Sequence, residues 1–75
     1  MQIRAVNGNV YSVHAPNGDH VGNLKRVGAV WKFKAVGYGP DGAVEPGGGA
    51  LTDHHNAVFD APDAQAVDLR LGAHL

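Results

Sequence analysis

Apolar and cationic side chains alternate through Val30-Trp31-Lys32-Phe33-Lys34-Ala35 and on to Tyr38. A period of two is the signature of a strand with one face in the core and the other in water. Trp31, Phe33 and Ala35 then share the inward face, and Lys32, Lys34 and Tyr38 the outward one. Trp31 and Phe33 are the largest apolar groups available, so this strand is expected to hold the centre of the core.

Shorter alternating runs precede it at residues 3–6, 10–14 and 20–27, each set off by turn chemistry. Asn7-Gly8 readily takes φ > 0 at both central positions and predicts a type I′ hairpin. Asn17-Gly18, with Pro16 before it, stops the second run, and Gly28 offers a tight reversal into the strand that carries Trp31. Asp41-Gly42 starts a short return through Ala43, Val44 and Glu45. The first 45 residues therefore read as an antiparallel β-meander of three to four strands.

The pattern breaks at Pro46. Residues 46–51 read as a flexible, Gly-rich loop. Thr52 is placed to cap a short helix running through Phe59, with Asp53 in its first turn. Asp60, Pro62 and Asp63 read as a second helix start, after which Ala64, Val67, Leu71 and Leu75 line one face. Residues 67–71 also alternate as an edge strand would, but the Asp-Pro start and the Ala, Gln, Leu and Arg content favour a helix. The expected fold class is α+β. One domain spans residues 1–75, with the mostly helical segment 52–75 packed on one face of the meander.

With 75 residues and large apolar groups this few, stability is expected to be modest. Eleven Gly and four Pro assign much of the chain to turns. The absence of Cys excludes disulfide staples, zinc ribbons and thiol nucleophiles, and favours a reducing, cytoplasmic setting. Met1-Gln-Ile-Arg enters an alternating pattern directly, without the apolar stretch of a signal peptide. No apolar run reaches membrane-spanning length, so no membrane association is expected.

Charge is segregated. Residues 1–38 carry five Lys and Arg against Asp19 alone, a net +4, and residues 39–75 carry six carboxylates against Arg70, a net −5. The economical expectation is that the acidic half lies near the basic sheet and neutralises it, and a charged partner is the sharper alternative.

Candidate chemistry is sparse. Residues 37–42 spell G-x-G-x-x-G, but no helix can start after them to aim amides at a pyrophosphate. The loop at 46–49 lacks the Lys and hydroxyl that a P-loop needs, which leaves only a generic anion nest. Asp53, His54, His55 and Asn56 form the most capable stretch. Adjacent histidines point about 100° apart on a helix and cannot chelate one ion together, so a metal would need His14, His20 or His74, and neither metal nor cofactor is expected. Ser12 with His14 reads as a polar pair on a strand face. Lys32 and Lys34, with Tyr38 and either Lys25 or Arg26, would make a basic patch able to meet single-stranded nucleic acid, a reading that a pI near 6.5 disfavours.

The run from Trp31 to Tyr38, followed by Glu45-Pro-Gly-Gly-Gly-Ala-Leu-Thr-Asp-His-His-Asn56, resembles a group of small uncharacterised bacterial proteins, short hypothetical proteins of proteobacteria. The likeness covers residues 10–70. It implies a bacterial source and a compact α+β fold, with nothing implied about activity or site residues. The sequence thus favours a small, non-enzymatic binding or regulatory module making protein–protein contacts or self-associating, with Leu69, Ala66 and Ala73 as an apolar strip for the partner. The alternatives are nucleic-acid binding through Lys32, Lys34 and Tyr38, and a metal-dependent or acid–base enzyme around residues 53–56.

Overall fold

Four chain reversals decide the topology. In the computed structural model, which describes residues 1–72 and 75, they produce five antiparallel strands. These are β1 (Gln2–Asn7), β2 (Val10–His14), β3 (His20–Val27), β4 (Val30–Tyr38) and β5 (Val44–Pro46), in that order across the sheet. A sixth, β6 (Val58–Phe59), pairs with β4, so the sheet has six strands rather than three to four.

Two reversals use the same device. In Ala15-Pro16-Asn17-Gly18-Asp19 the Gly18 N–H donates to Ala15 O at 2.8 Å, and in Gly39-Pro40-Asp41-Gly42-Ala43 the Gly42 N–H donates to Gly39 O at 2.9 Å. Proline presets the first central φ. The Asn17 and Asp41 side chains accept the N–H two residues on, at 2.9 and 3.0 Å. Glycine then takes φ 95° at Gly18 and 83° at Gly42, where a Cβ would be strained. Gly28, at φ 62°, opens a two-residue hairpin between the paired Val27 and Val30. The first hairpin departs from expectation. Neither Asn7 nor Gly8 has positive φ; Gly8 and Asn9 form the tip, and the ladder slips between Ala5 and Asn7. That irregularity supplies the twist a type I′ turn would have provided.

Beyond Pro46 long-range pairing overrides local propensity. The far edge of β4 is completed by separate stretches, with β6 beside Trp31 and Lys32 and β5 beside residues 36–38. Between them Phe33 N–H donates to Ala57 O at 2.8 Å, Asn56 N–H donates to Phe33 O at 2.7 Å, and Ala35 N–H donates to His55 Nδ1 at 3.0 Å. The expected helix through Phe59 is therefore reduced to one 3-10 turn, Thr52–His54. Asn56, at φ 74°, turns the chain from it onto β4. Leu51, not Thr52, occupies the cap position, and the Thr52 hydroxyl donates instead to Gly47 O at 2.6 Å.

The Gly-rich stretch packs tightly. Pro46 closes β5, and Gly47 N–H donates to Ala35 O at 2.7 Å. A Cβ on Gly37 would lie 2.6 Å from Gly49 N, so two backbones meet where only glycine fits. The anion-nest reading fails for the same reason: the Gly47, Gly48 and Thr52 amides already donate to protein carbonyls.

Helix α1 (Ala64–Leu71) begins at Asp63, whose carboxylate accepts the Gln65 N–H at 2.9 Å. Pro62 sits just before that cap rather than in the first turn. Residues 67–71 are helical, and Val67 and Leu71 are fully buried. The helix ends at a Gly72 cap, so Leu75 lies past it and is 47% exposed, while Ala73 and His74 fall outside the described residues. Arg70 ties α1 to β6, donating to Val58 O with its guanidinium 4.8 Å above the Phe59 ring.

The core lies between α1 and the inner sheet face, where Phe33, Leu24, Val13, Leu51, Val67 and Leu71 are fully buried. Trp31 is half-buried at its margin, edge-on to Tyr11 with ring centroids 5.5 Å apart. Phe33 rather than Trp31 is thus the centre. Its ring fills the space left by the missing side chain of Gly22.

Candidate functional site

Strand alternation that buries Phe33 and Leu24 sends the neighbouring side chains to the other face, and the ladder arranges them in rows. Val10, Lys25, Lys32 and Val58 lie opposite one another in turn. Arg4, Ser12, Asn23 and Lys34 form the next row, and Gln2, His14 and His20 the third. Val36, opposite Pro46, and Tyr38, opposite Val44, extend the same face.

Two histidines are fixed in this face by their neighbours. His20 Nε2 lies 2.9 Å from Asn23 Oδ1 and Nδ1 lies 2.7 Å from the Tyr38 hydroxyl. An amide oxygen only accepts, so Nε2 carries the proton and Nδ1 accepts from the phenol. His14 Nε2 meets Ser12 Oγ at 3.0 Å and Nδ1 meets Gly18 O at 3.4 Å. The two imidazoles lie against each other with centroids 5.2 Å apart. The Ser12–His14 contact has the connectivity of a nucleophile and base, but β2 spends its amides on ladders to both neighbours. Oxyanion donors, which acyl transfer requires, are therefore lacking beside Ser12.

The electrostatics follow from which face each acid occupies. Lys25 stands directly opposite Lys32, with Lys34 next on the diagonal. None of the strand positions on this face is a carboxylate. Asp19 and Asp41 sit in turns, and Glu45 lies opposite Gly37 on the inward side. Asp53, Asp60, Asp63 and Asp68 belong to the C-terminal segment, whose Leu51, Phe59, Val67 and Leu71 join the core on the inner side. Neutralisation of the sheet by the acidic half, the economical expectation, is not what the fold does. Among the described residues the ion pair found joins the Met1 amino group to Asp68 at 2.5 Å, and none involves a lysine.

Lys32, Lys34 and Tyr38 thus share the outer face as expected, and the open choice between Lys25 and Arg26 falls to Lys25. Arg26 pairs with Trp31 on the other side. The stretch at 53–56 divides. Asn56 accepts a hydrogen bond from Lys34 Nζ, and His55 closes a gap in the β4 edge through Ala35 N–H, which brings both beside the basic face. Asp53 is exposed in the 3-10 turn and His54 is half-buried there. Among the described residues no three His, Cys, Asp or Glu side chains gather as metal ligands. Arg4, His14, His20 and Asn23 were not singled out for this face. Asn23 follows from its parity with Lys25 along β3, whereas Arg4 and His14 follow only from the cross-strand register, and His20 reaches this face because the ladder slips between Val13 and His14.

A cavity of about 320 Å³ opens among these residues, walled by Val36, Val44 and Pro46 and bordered by Asn23, Lys25, Lys34 and His55. A second, of about 500 Å³, lies where β3 and β4 part beyond the Gly22–Ala35 pair, beside His20 and Tyr38. Among the described residues no helix is long and apolar enough to cross a membrane. Comparison with protein-family models, with curated proteins and with solved structures finds no match to this chain.

Proposed function

We propose that this chain is a non-enzymatic binding module, of bacterial and cytoplasmic origin, whose outer sheet face holds single-stranded nucleic acid. The observation that carries the reading is Lys25 set directly against Lys32, with Lys34 beside them, on a face stripped of carboxylates. Like charges opposite one another on a sheet are destabilising. A polyanion relieves that repulsion, and phosphates spaced along a strand suit cations spread over three β-strands. Tyr38, His14 and His20 add rings to the same surface, and an open sheet face accommodates an extended strand.

A protein partner on α1 has less support. Leu69 is 79% exposed, but Ala66 packs against the core, so the expected apolar strip is broken. The metal or acid–base alternative at residues 53–56 loses its geometry, because His55 Nδ1 is committed to a backbone amide.

Fluorescence anisotropy with a labelled strand of about 10 nucleotides tests the proposal. Engaging Arg4, Lys25, Lys32 and Lys34 predicts a log–log salt slope of about −2 to −3. Lys25→Glu with Lys32→Glu should abolish binding. Salt-insensitive binding, or binding unchanged by the double reversal, refutes it.

A further inference from the structure

We infer that the 320 Å³ cavity on the outer face is a subsite for one keto pyrimidine, thymine or uracil, of the bound strand. This rests on the reading of the face as a single-strand surface and adds a base-level preference to it.

The walls explain the apolar part. The Val36–Pro46 and Tyr38–Val44 pairings turn Val36, Pro46 and Val44 toward the lysine side of the sheet. Val44 is 57% exposed, and a planar ring laid on these three side chains would remove them from water. The volume lies near the lower limit of ligand pockets, which fits a single-ring base with its sugar better than a purine nucleotide.

The border explains the polar part, because its side-chain groups are donors. Asn23 Oδ1 faces His20 Nε2, which leaves the Asn23 amide nitrogen with its two hydrogens for a ligand. His55 Nδ1 accepts the Ala35 N–H, so the His55 proton resides on Nε2. Lys25 and Lys34 carry only donors, although one Lys34 hydrogen goes to Asn56. A border of donors matches a base that presents carbonyl oxygens, as thymine and uracil do at both C2 and C4. Cytosine offers O2 and N3 as acceptors but sets an amine at C4 against those donors, whereas the one donor of thymine or uracil, N3–H, lies between its two carbonyls. The mismatch at C4 leaves hydrogen-bonding groups unpaired. The same lysines would hold the flanking phosphate.

Binding of the full chain to oligo(dT), oligo(dC) and an abasic strand of equal length and charge tests this, with Val36 and Val44 methyl resonances followed by NMR. The expected order is oligo(dT) tightest by about tenfold over the abasic strand, or about 1.4 kcal/mol, with oligo(dC) between them. The two valine methyls should shift with oligo(dT) and stay in place with the abasic strand. Val44→Ser, a change at an exposed edge position, should narrow the oligo(dT) advantage and leave abasic binding alone. If oligo(dT) and the abasic strand bind equally, the subsite is wrong while the basic face stands. Equal binding of oligo(dT) and oligo(dC) overturns the keto preference, and no binding of any strand overturns both readings.

Discussion

Lys25 and Lys32 face each other across the β3–β4 ladder, and exchanging Lys25 for Glu turns a repulsion into an attraction. Two unit charges about 6 Å apart in a water-like dielectric interact by about 0.7 kcal/mol, so reversing the sign is worth about 1.4 kcal/mol before side-chain ordering is counted. Measured cross-strand charge pairs give about 0.2–1 kcal/mol. Lys34 on the diagonal adds to the same side of the balance. Lys25→Glu is therefore expected to stabilise the fold by about 1 kcal/mol at low salt, which raises Tm by about 4–8 °C in a domain of this size. Lys25→Met removes the repulsion without adding an attraction and should give about half that gain. Thermal unfolding followed by circular dichroism at low salt and near 1 M salt is the assay. The gain should fade at high salt, where the Debye length is about 3 Å. A stabilised variant that has lost nucleic-acid binding would show the two lysines kept at the expense of stability. No gain at low salt, or a gain indifferent to salt, would mean that no repulsion is stored on this face, and the functional proposal would lose its support.

Other consequences are open to equally direct measurement. Phe33→Ala empties the core centre and should cost about 3–5 kcal/mol in chemical denaturation, whereas half-buried Trp31→Ala should cost clearly less. Gly22→Ala drives a Cβ into the Phe33 ring and to 2.7 Å from Lys34 O, for an expected loss of about 1–3 kcal/mol. Gly8→Ala meets open space at a φ that is not positive, and should be neutral or gain up to about 1 kcal/mol. His55→Ala removes the acceptor for Ala35 N–H and should cost about 1 kcal/mol, with faster hydrogen exchange at the Ala35 amide as the site-specific readout.

What the sequence made legible is what local chemistry controls. Pro16-Asn17-Gly18 and Pro40-Asp41-Gly42 carry their turn geometry in three residues, and the Trp31–Tyr38 alternation assigns lysines and core to opposite faces without further help. The same holds for α1, where Asp63 and the Val67/Leu71 spacing agree. Illegible features depend on partners distant in the chain. Thr52-Asp53-His54-His55-Asn56 carries helix-start chemistry, but the unpaired edge of β4 captures it, and Asn56 tolerates the left-handed turn that this requires. The glycines after Pro46 look like slack because the strand they press against, at Gly37, is ten residues away. At the site, Lys32, Lys34 and Tyr38 follow from one strand's parity. Adding Lys25, Asn23, His14 and His20 needs the register between strands, which includes an irregularity near His14 that no composition rule announces.

The patchwork along β4 also shapes how this protein fails. Its long apolar strand is sealed on one side by separate stretches between residues 44 and 59 rather than by one continuous neighbour. Loosening of residues 55–59, through loss of the Arg70 clasp or of α1, would bare amides and carbonyls beside Phe33 while β1 to β4 stayed paired. A strand so uncovered is a template for a second molecule. The C-terminal segment therefore shields that edge of β4 from other copies of this chain, and aggregation through it should begin when residues 55–59 loosen, before the sheet itself melts.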